Sequence, residues 1–157
     1  MPTHLRPLTD EEMATWLANL RDAYIADRME TGESVEEATR ITDAQLGSLL
    51  PGGHPAPGNL LSRVCVDEGP VGWLWIGPRT PDAPKAFWVW DVVIDKEHRG
   101  KGFGKAAMLL AEEQAAAAGA VDLGLNVFGS NAVARHLYES LDYEVMAVQM
   151  RKPLTKR

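Results

Sequence analysis

Val92-Val93-Ile94-Asp95-Lys96-Glu97-His98-Arg99-Gly100-Lys101-Gly102-Phe103-Gly104-Lys105 is the stretch on which the fold turns. It opens as an apolar run, the end of a strand. It crosses a short charged loop and enters a series of good helix formers. Gly100, Gly102 and Gly104 carry no Cβ, so a ligand can come close to the backbone. Their N–H groups fall at a helix start, where unpaired donors and the helix dipole favour an anion. Arg99, Lys101 and Lys105 add positive charge. The physical reading is a strand–loop–helix cradle for phosphate, with pyrophosphate the best fit.

Three such cradles are known, and a glycine turn that only redirects the chain is the plain alternative. A P-loop requires G-x-x-x-x-G-K-[ST]. Gly104-Lys105 supplies its G-K, but Arg99 stands where the first glycine belongs and Ala106 where Ser or Thr would hold magnesium. A dinucleotide fingerprint fits loosely as Gly102-x-Gly104-x-x-Ala107. It also needs an acidic residue at the end of the following strand, and Asp122 lies at the start of that strand. The third cradle is R-x-x-G-x-G, here Arg99-Gly100-Lys101-Gly102-Phe103-Gly104. Following VVI and preceding a helix, it resembles motif A of the GNAT superfamily of acyl-CoA-dependent N-acyltransferases.

A second stretch, Ser130 to Tyr143, resembles GNAT motif B, roughly N-x-x-A-x-x-L-Y-x-x-x-G-[FY]. Asn131, Ala134, Leu137, Tyr138 and Tyr143 fit. Asp142 replaces the usual glycine, at a turn where Asp tolerates the left-handed conformation better than most residues. The resemblance runs from about Val64 to Leu154. The first sixty residues share only a strand–helix–helix order.

The chain has 157 residues, 45% apolar and 24% charged, with net charge −6. That suits one soluble domain spanning 1–157. The acidic balance argues against a nucleic-acid footprint. It sets the basic loop apart as a local feature that would steer a polyanion, while the acidic remainder suits a cationic amine. Cys65 alone cannot form an internal disulfide. No leader or membrane-length apolar run is present, and a reducing cytoplasm is the expected location. His4, His54, His98 and His136 show no metal-ligand spacing.

Along the chain, His4–Leu8 reads as a strand. Thr9 and Glu12 form a capping box for a helix from about Asp10 to Arg28, with Met13, Trp16, Leu17, Leu20 and Tyr24 on one face. Ser34 and Glu37 form a second capping box, opening a helix with Val35, Ala38, Ile41, Gln45 and Leu49 on a weaker apolar face. The segment PGGHPAPG from Pro51 is a loop. Leu60–Asp67 and Val71–Ile76 form a hairpin. Ala86–Asp95 is nearly all apolar and aromatic, a covered central strand. Phe103–Ala118 is a helix with Phe103, Ala106, Ala107, Leu110 and Gln114 on one face, closed by Gly119. Val121–Phe128 is a strand. Asn131–Leu141 is a helix with Val133, Ala134, Leu137, Tyr138 and Leu141 inward. Tyr143–Leu154 reads as one long final strand whose free edge would suit a homodimer. The expectation is an α/β (mixed α+β) GNAT fold: about six strands in a mixed sheet, splayed parallel fourth and fifth strands, four flanking helices.

The resemblance implies transfer of an acetyl group from acetyl-CoA to a primary amine, on a small molecule or a peptide, within a ternary complex. It implies no metal. Backbone around Val92, Val93 and Ile94, where the family's strand is commonly bulged, would hold the acetyl carbonyl and pantetheine. Arg99, Gly100, Lys101, Gly102, Phe103, Gly104 and Lys105 would hold the pyrophosphate, and Asn131 would contact the cofactor. Tyr138 is the candidate acid for the departing thiolate, since a phenol of pKa ~10 matches a thiol closely enough for easy transfer. Relatives that acetylate protein N-termini often carry a base as glutamate on the fifth strand. The matching position here is Asn126, which cannot take a proton. Asp91 remains, among large apolar neighbours that should raise its pKa; a base and a buried structural carboxylate are equal readings. The first two helices of the family border the acceptor site, which draws attention to Trp16, Tyr24 and Met29. Trp73 with Trp75, and Trp88 with Trp90, should each share a strand face, by default in the core. Two rivals stay open: a non-catalytic acyl-CoA-binding domain on the same fold, and a dinucleotide-binding oxidoreductase fragment.

Overall fold

The computed structural model describes residues 2–155. The elements run β1 (His4–Pro7), α1 (Asp10–Glu30), α2 (Val35–Leu49), β2 (Leu60–Val66), β3 (Gly69–Pro78), β4 (Ala86–Ile94), α3 (Phe103–Ala117), β5 (Asp122–Leu125) and α4 (Ala132–Ser140). Short 3₁₀ turns occur at Pro51–Gly53 and Lys96–His98. The strands form one sheet in the order β1-β2-β3-β4-β5, with every pair antiparallel except the parallel β4–β5. The chain divides into two compact units, one up to Leu125 with the sheet and α1–α3, the other from Asn126 with α4.

Local chemistry sets the helix starts. Thr9 accepts from the Glu12 N–H while Glu12 accepts from the Thr9 N–H, closing the expected capping box. At α2 only half of the box forms: Ser34 accepts from the Glu37 N–H. α1 and α2 lie on one face of the sheet. Trp16, Leu20, Leu46, Leu50, Trp73 and Trp75 form a cluster there, with Met13, Leu17, Tyr24 and Trp90 packed around it. Burying each large member stabilises by about 1.5–3 kcal/mol. On α2 the buried residues are Ala38, Thr42 and Leu46. The buried stripe keeps Ala38 but otherwise differs from the expected one, and Gln45 is exposed.

On α3, Phe103, Ala107, Met108, Ala111 and Ala115 are buried, against β3 and β4. Ala106, Leu110 and Gln114, expected on that face, lie less deeply. Small alanines let this helix sit close to the sheet. Gly119, with φ 91°, ends it as expected.

The sheet has five strands where about six were expected. β5 spans four residues, and Tyr143–Leu154 contains no strand. A strand needs a ladder partner to satisfy its backbone, and the tail has none among the described residues. Its apolar side chains lie exposed: Met146 by 90%, Met150 by 87% and Leu154 by 91%. The alternation that suggested a strand therefore has no ladder behind it, and the described residues of this stretch form no sheet edge.

Candidate active site

The loop between β4 and α3 is shaped by its glycines. Gly100 and Gly102 have φ of 76° and 85°, a left-handed conformation costly for other residues. A Cβ on either would point into open space. α3 starts directly on Gly102 with no side-chain cap, whereas Thr9, Ser34 and Asn131 cap the other three helices. Its first N–H groups are thus left to whatever sits beyond Gly100 and Gly102. Lys101 and Lys105 are exposed beside them. The Phe103 side chain is buried, so only its backbone can serve a ligand. Arg99 donates from Nε to the Ile94 carbonyl at 2.9 Å, tying the loop back to the strand. The residues fit a pyrophosphate: uncapped donors, room without Cβ atoms, and two exposed ammonium groups.

The base of the loop is held by Asp95. It accepts from Trp73 Nε1 at 3.2 Å and from an Arg63 guanidinium N–H at 3.4 Å. Its own N–H donates to the Val71 carbonyl. Arg63 is 6% exposed, lies over the Trp73 ring at 3.7 Å and also pairs with Glu12 at 3.4 Å. Bidentate contact with Arg6, strengthened by the Thr9 N–H, holds the Glu12 carboxyl down to about 2. Neither Arg63 nor Asp95 was apparent as a site residue, because nothing local in the sequence links positions 63 and 95.

On β4 the register with β3 runs regularly from Ile94 to Asp91, then shifts: Trp75 pairs Asp91 and Ile76 pairs Val89. Trp90 is the extra residue of this bulge. The bulge was expected around Val92 to Ile94 and lies just before them. It places Trp90 and Asp91 on one face, that of α1 and α2. Trp90 stacks on Trp75 with centroids 5.7 Å apart, and Trp16 meets Trp75 edge-on at 5.4 Å. Trp16 Nε1 donates to Asp91 Oδ2 at 3.1 Å. Burial pushes the Asp91 carboxyl up to about 6, the Trp16 bond pulling weakly the other way. A carboxylate with that pKa can gain and lose a proton near neutrality.

The β4–β5 pairing runs from Ala86↔Asp122 to Val89↔Leu125. Beyond it, β4 residues Asp91 to Ile94 pair with β3 alone among the ladders described. Val92, Val93 and Ile94 thus have a backbone edge not used by β5, whose ladder ends at Leu125. Val93 shares the Asp91 face and is 38% exposed.

The remaining candidates belong to the second unit. Asn131 caps α4, its Oδ1 accepting from the Ala134 N–H at 3.2 Å, which leaves its amide N–H₂ group for other use. Tyr138 is half-buried, its ring 6.0 Å from Tyr143. Ala134, Leu137 and Leu141 are half-buried with it; Val133, expected inward, is 85% exposed. Asp142 has φ 69°, taking the left-handed turn where the motif usually has glycine.

Cys65 is buried in β2, and His98 is half-buried with its ring edge toward Phe103 at 6.5 Å. Among the described residues no group of His, Cys, Asp and Glu is placed to hold a metal, and no helix is long and apolar enough to cross a membrane.

Known proteins share this arrangement. The Acetyltransferase (GNAT) family profile matches residues 15–143. The uncharacterized N-acetyltransferase YycN of Bacillus subtilis (strain 168) is 30% identical over 156 residues, covering 98% of this chain and 100% of YycN. YdgE of the same organism, also an uncharacterized N-acetyltransferase, is 26% identical over 152 residues, 96% of this chain and 97% of its own. The crystal structure of YycN superposes with a TM-score of 0.86 over 99% of this chain and 100% of YycN. A protein from Pyrococcus furiosus, 23% identical, shares the fold with a TM-score of 0.67, covering 98% and 100% of the two chains. With the profile match, the parallel β4–β5 pair and these relatives in agreement, the chain belongs to the GNAT acetyltransferase family.

Proposed function

We propose that the protein transfers an acetyl group from acetyl-CoA to a primary amine. The observation that carries this reading is the start of α3, which opens on Gly102 with no side-chain cap and open space beside Gly100 and Gly102. Acetyl-CoA supplies the activated acetyl thioester. The chain supplies positioning and proton management. N–H groups of Gly102 to Lys105, with Arg99, Gly100 and Lys101 around them, bind the pyrophosphate. The β4 edge at Val92 to Ile94 orients the acyl group, and the Asn131 amide contacts the cofactor. Asp91 takes a proton from the incoming ammonium, leaving a neutral amine lone pair for attack. Tyr138 gives its phenolic proton to the departing thiolate, a nearly balanced exchange, and the proton that the attacking nitrogen sheds on becoming an amide restores the phenol.

Calorimetric titration with acetyl-CoA, with NADH as control, tests this. Saturable one-to-one binding of acetyl-CoA alone is the expected result. No binding would make the glycine loop a structural turn. Tyr138→Phe should bind acetyl-CoA normally and turn over slowly; undiminished turnover would remove Tyr138 as the acid.

A further inference from the structure

Between α1, α2 and β4 lies a cleft of about 400 Å³ lined by Tyr24, Gln45, Ser48, Leu49 and Trp90. That is near the lower end of the roughly 300–1,000 Å³ typical of ligand pockets, suited to a small molecule. Its Trp90 wall is fixed, because the ring is stacked on buried Trp75. No lining residue is charged. The two arginines of α1 that flank Tyr24 are both engaged elsewhere. Arg21 grips Asp43 at 2.7 and 3.2 Å, and Arg28 grips Glu33 at 2.9 and 3.0 Å. The charges that reach the Tyr24 phenol are negative: Asp91 and Asp27 both push its pKa up, after the larger effect of burial.

Two aromatic rings, a carboxamide, a hydroxyl and nearby carboxylates attract a cation and a flat apolar body. The same lining offers an anion no cation to pair with, and burying an unpaired anion there would be costly. The resemblance puts the acceptor against α1 and α2; in this cleft we propose that the acceptor is a small primary ammonium on a flat uncharged body, and that Trp90 and Tyr24 set this preference. The inference rests on the acetyl-transfer reading and names its substrate class.

The experiment compares phenethylamine, phenylalanine and a tetrapeptide with a free N-terminus as acceptors at saturating acetyl-CoA, reading released thiol. Phenethylamine and phenylalanine differ only by the carboxylate. The expected result is kcat/KM at least about tenfold higher for phenethylamine than for either competitor, the ratio set by one unpaired buried charge. Trp90→Ala and Tyr24→Ala should each raise the KM for phenethylamine about tenfold and leave the calorimetric Kd for acetyl-CoA unchanged. Trp90→Phe and Tyr24→Phe, which keep a ring and are the milder changes for folding, should recover most of the loss. Equal or better use of phenylalanine or the peptide, or an unchanged KM in the alanine variants, overturns the inference while acetyl transfer stands. Failure of the wild type to bind acetyl-CoA overturns both.

Discussion

Asp91 gains its chemistry from its neighbours. With its carboxyl pushed up to about 6 by burial, kcat/KM should rise with pH and reach half its plateau near that value, because only the ionised form accepts a proton. Asp91→Asn should lower kcat by about a hundredfold or more at pH 7.5, with the Kd for acetyl-CoA unchanged in the same titration. The stability effect has the opposite sign. A carboxyl whose folded pKa exceeds its unfolded value is fully favourable below the unfolded pKa and loses that advantage as pH rises through the folded one. Asp91→Asn escapes this loss and can still accept from Trp16. It should match the wild type near pH 4 and exceed it by about 2–3 kcal/mol above pH 7, an order-of-magnitude figure from the shift; urea midpoints across pH check it. An acid between Trp90 and Val92 was legible in the sequence as a perturbed group. Its donor was not, because Trp16 lies 75 positions away and only the packing of α1 on the sheet brings the two together.

The turn from β4 into α3 makes a prediction at the scale of the element. Gly102→Ala puts a Cβ on a residue with φ 85°. The added methyl meets no protein atom within 4 Å, so the folding cost is conformational alone, about 1–2 kcal/mol. The ligand would lose more, since the methyl stands in the space beside the uncapped N–H groups. Calorimetry should show the acetyl-CoA Kd raised at least about tenfold, with a melting temperature lower by only about 2–8 °C. Helix starts were readable because they depend on side chains three residues apart, as with Thr9 and Glu12. The α2 face differs from the expected one because Val35, Ile41 and Leu49 are more apolar than Thr42, yet the stripe that is buried is Ala38, Thr42 and Leu46. Hydropathy alone does not decide which stripe is covered.

At the scale of the whole molecule, Cys65 reports on cooperativity. It is 3% exposed in β2, paired to both β1 and β3. A thiol reagent should leave the native protein unlabelled, and labelling in rising urea should follow the global unfolding curve measured by circular dichroism. Labelling well before that transition would show β1 opening by itself. The mixed order of the sheet was legible from the hairpin followed by the strand–helix–strand unit. The count of strands was not, because Tyr143–Leu154 has a strand's alternation without a partner, and pairing is decided by the rest of the fold. One consequence of the β4 bulge concerns shortening the chain. Trp90 occupies no rung of the ladder: Ile76↔Val89 and Trp75↔Asp91 are already successive rungs without it. Excising that single residue would therefore heal the strand. The shortened protein is expected to fold with the loss of one stacked indole, to keep Asp91 on the same side of the sheet and to bind acetyl-CoA, yet to accept phenethylamine poorly, so that a residue the ladder does without is the one the acceptor needs most.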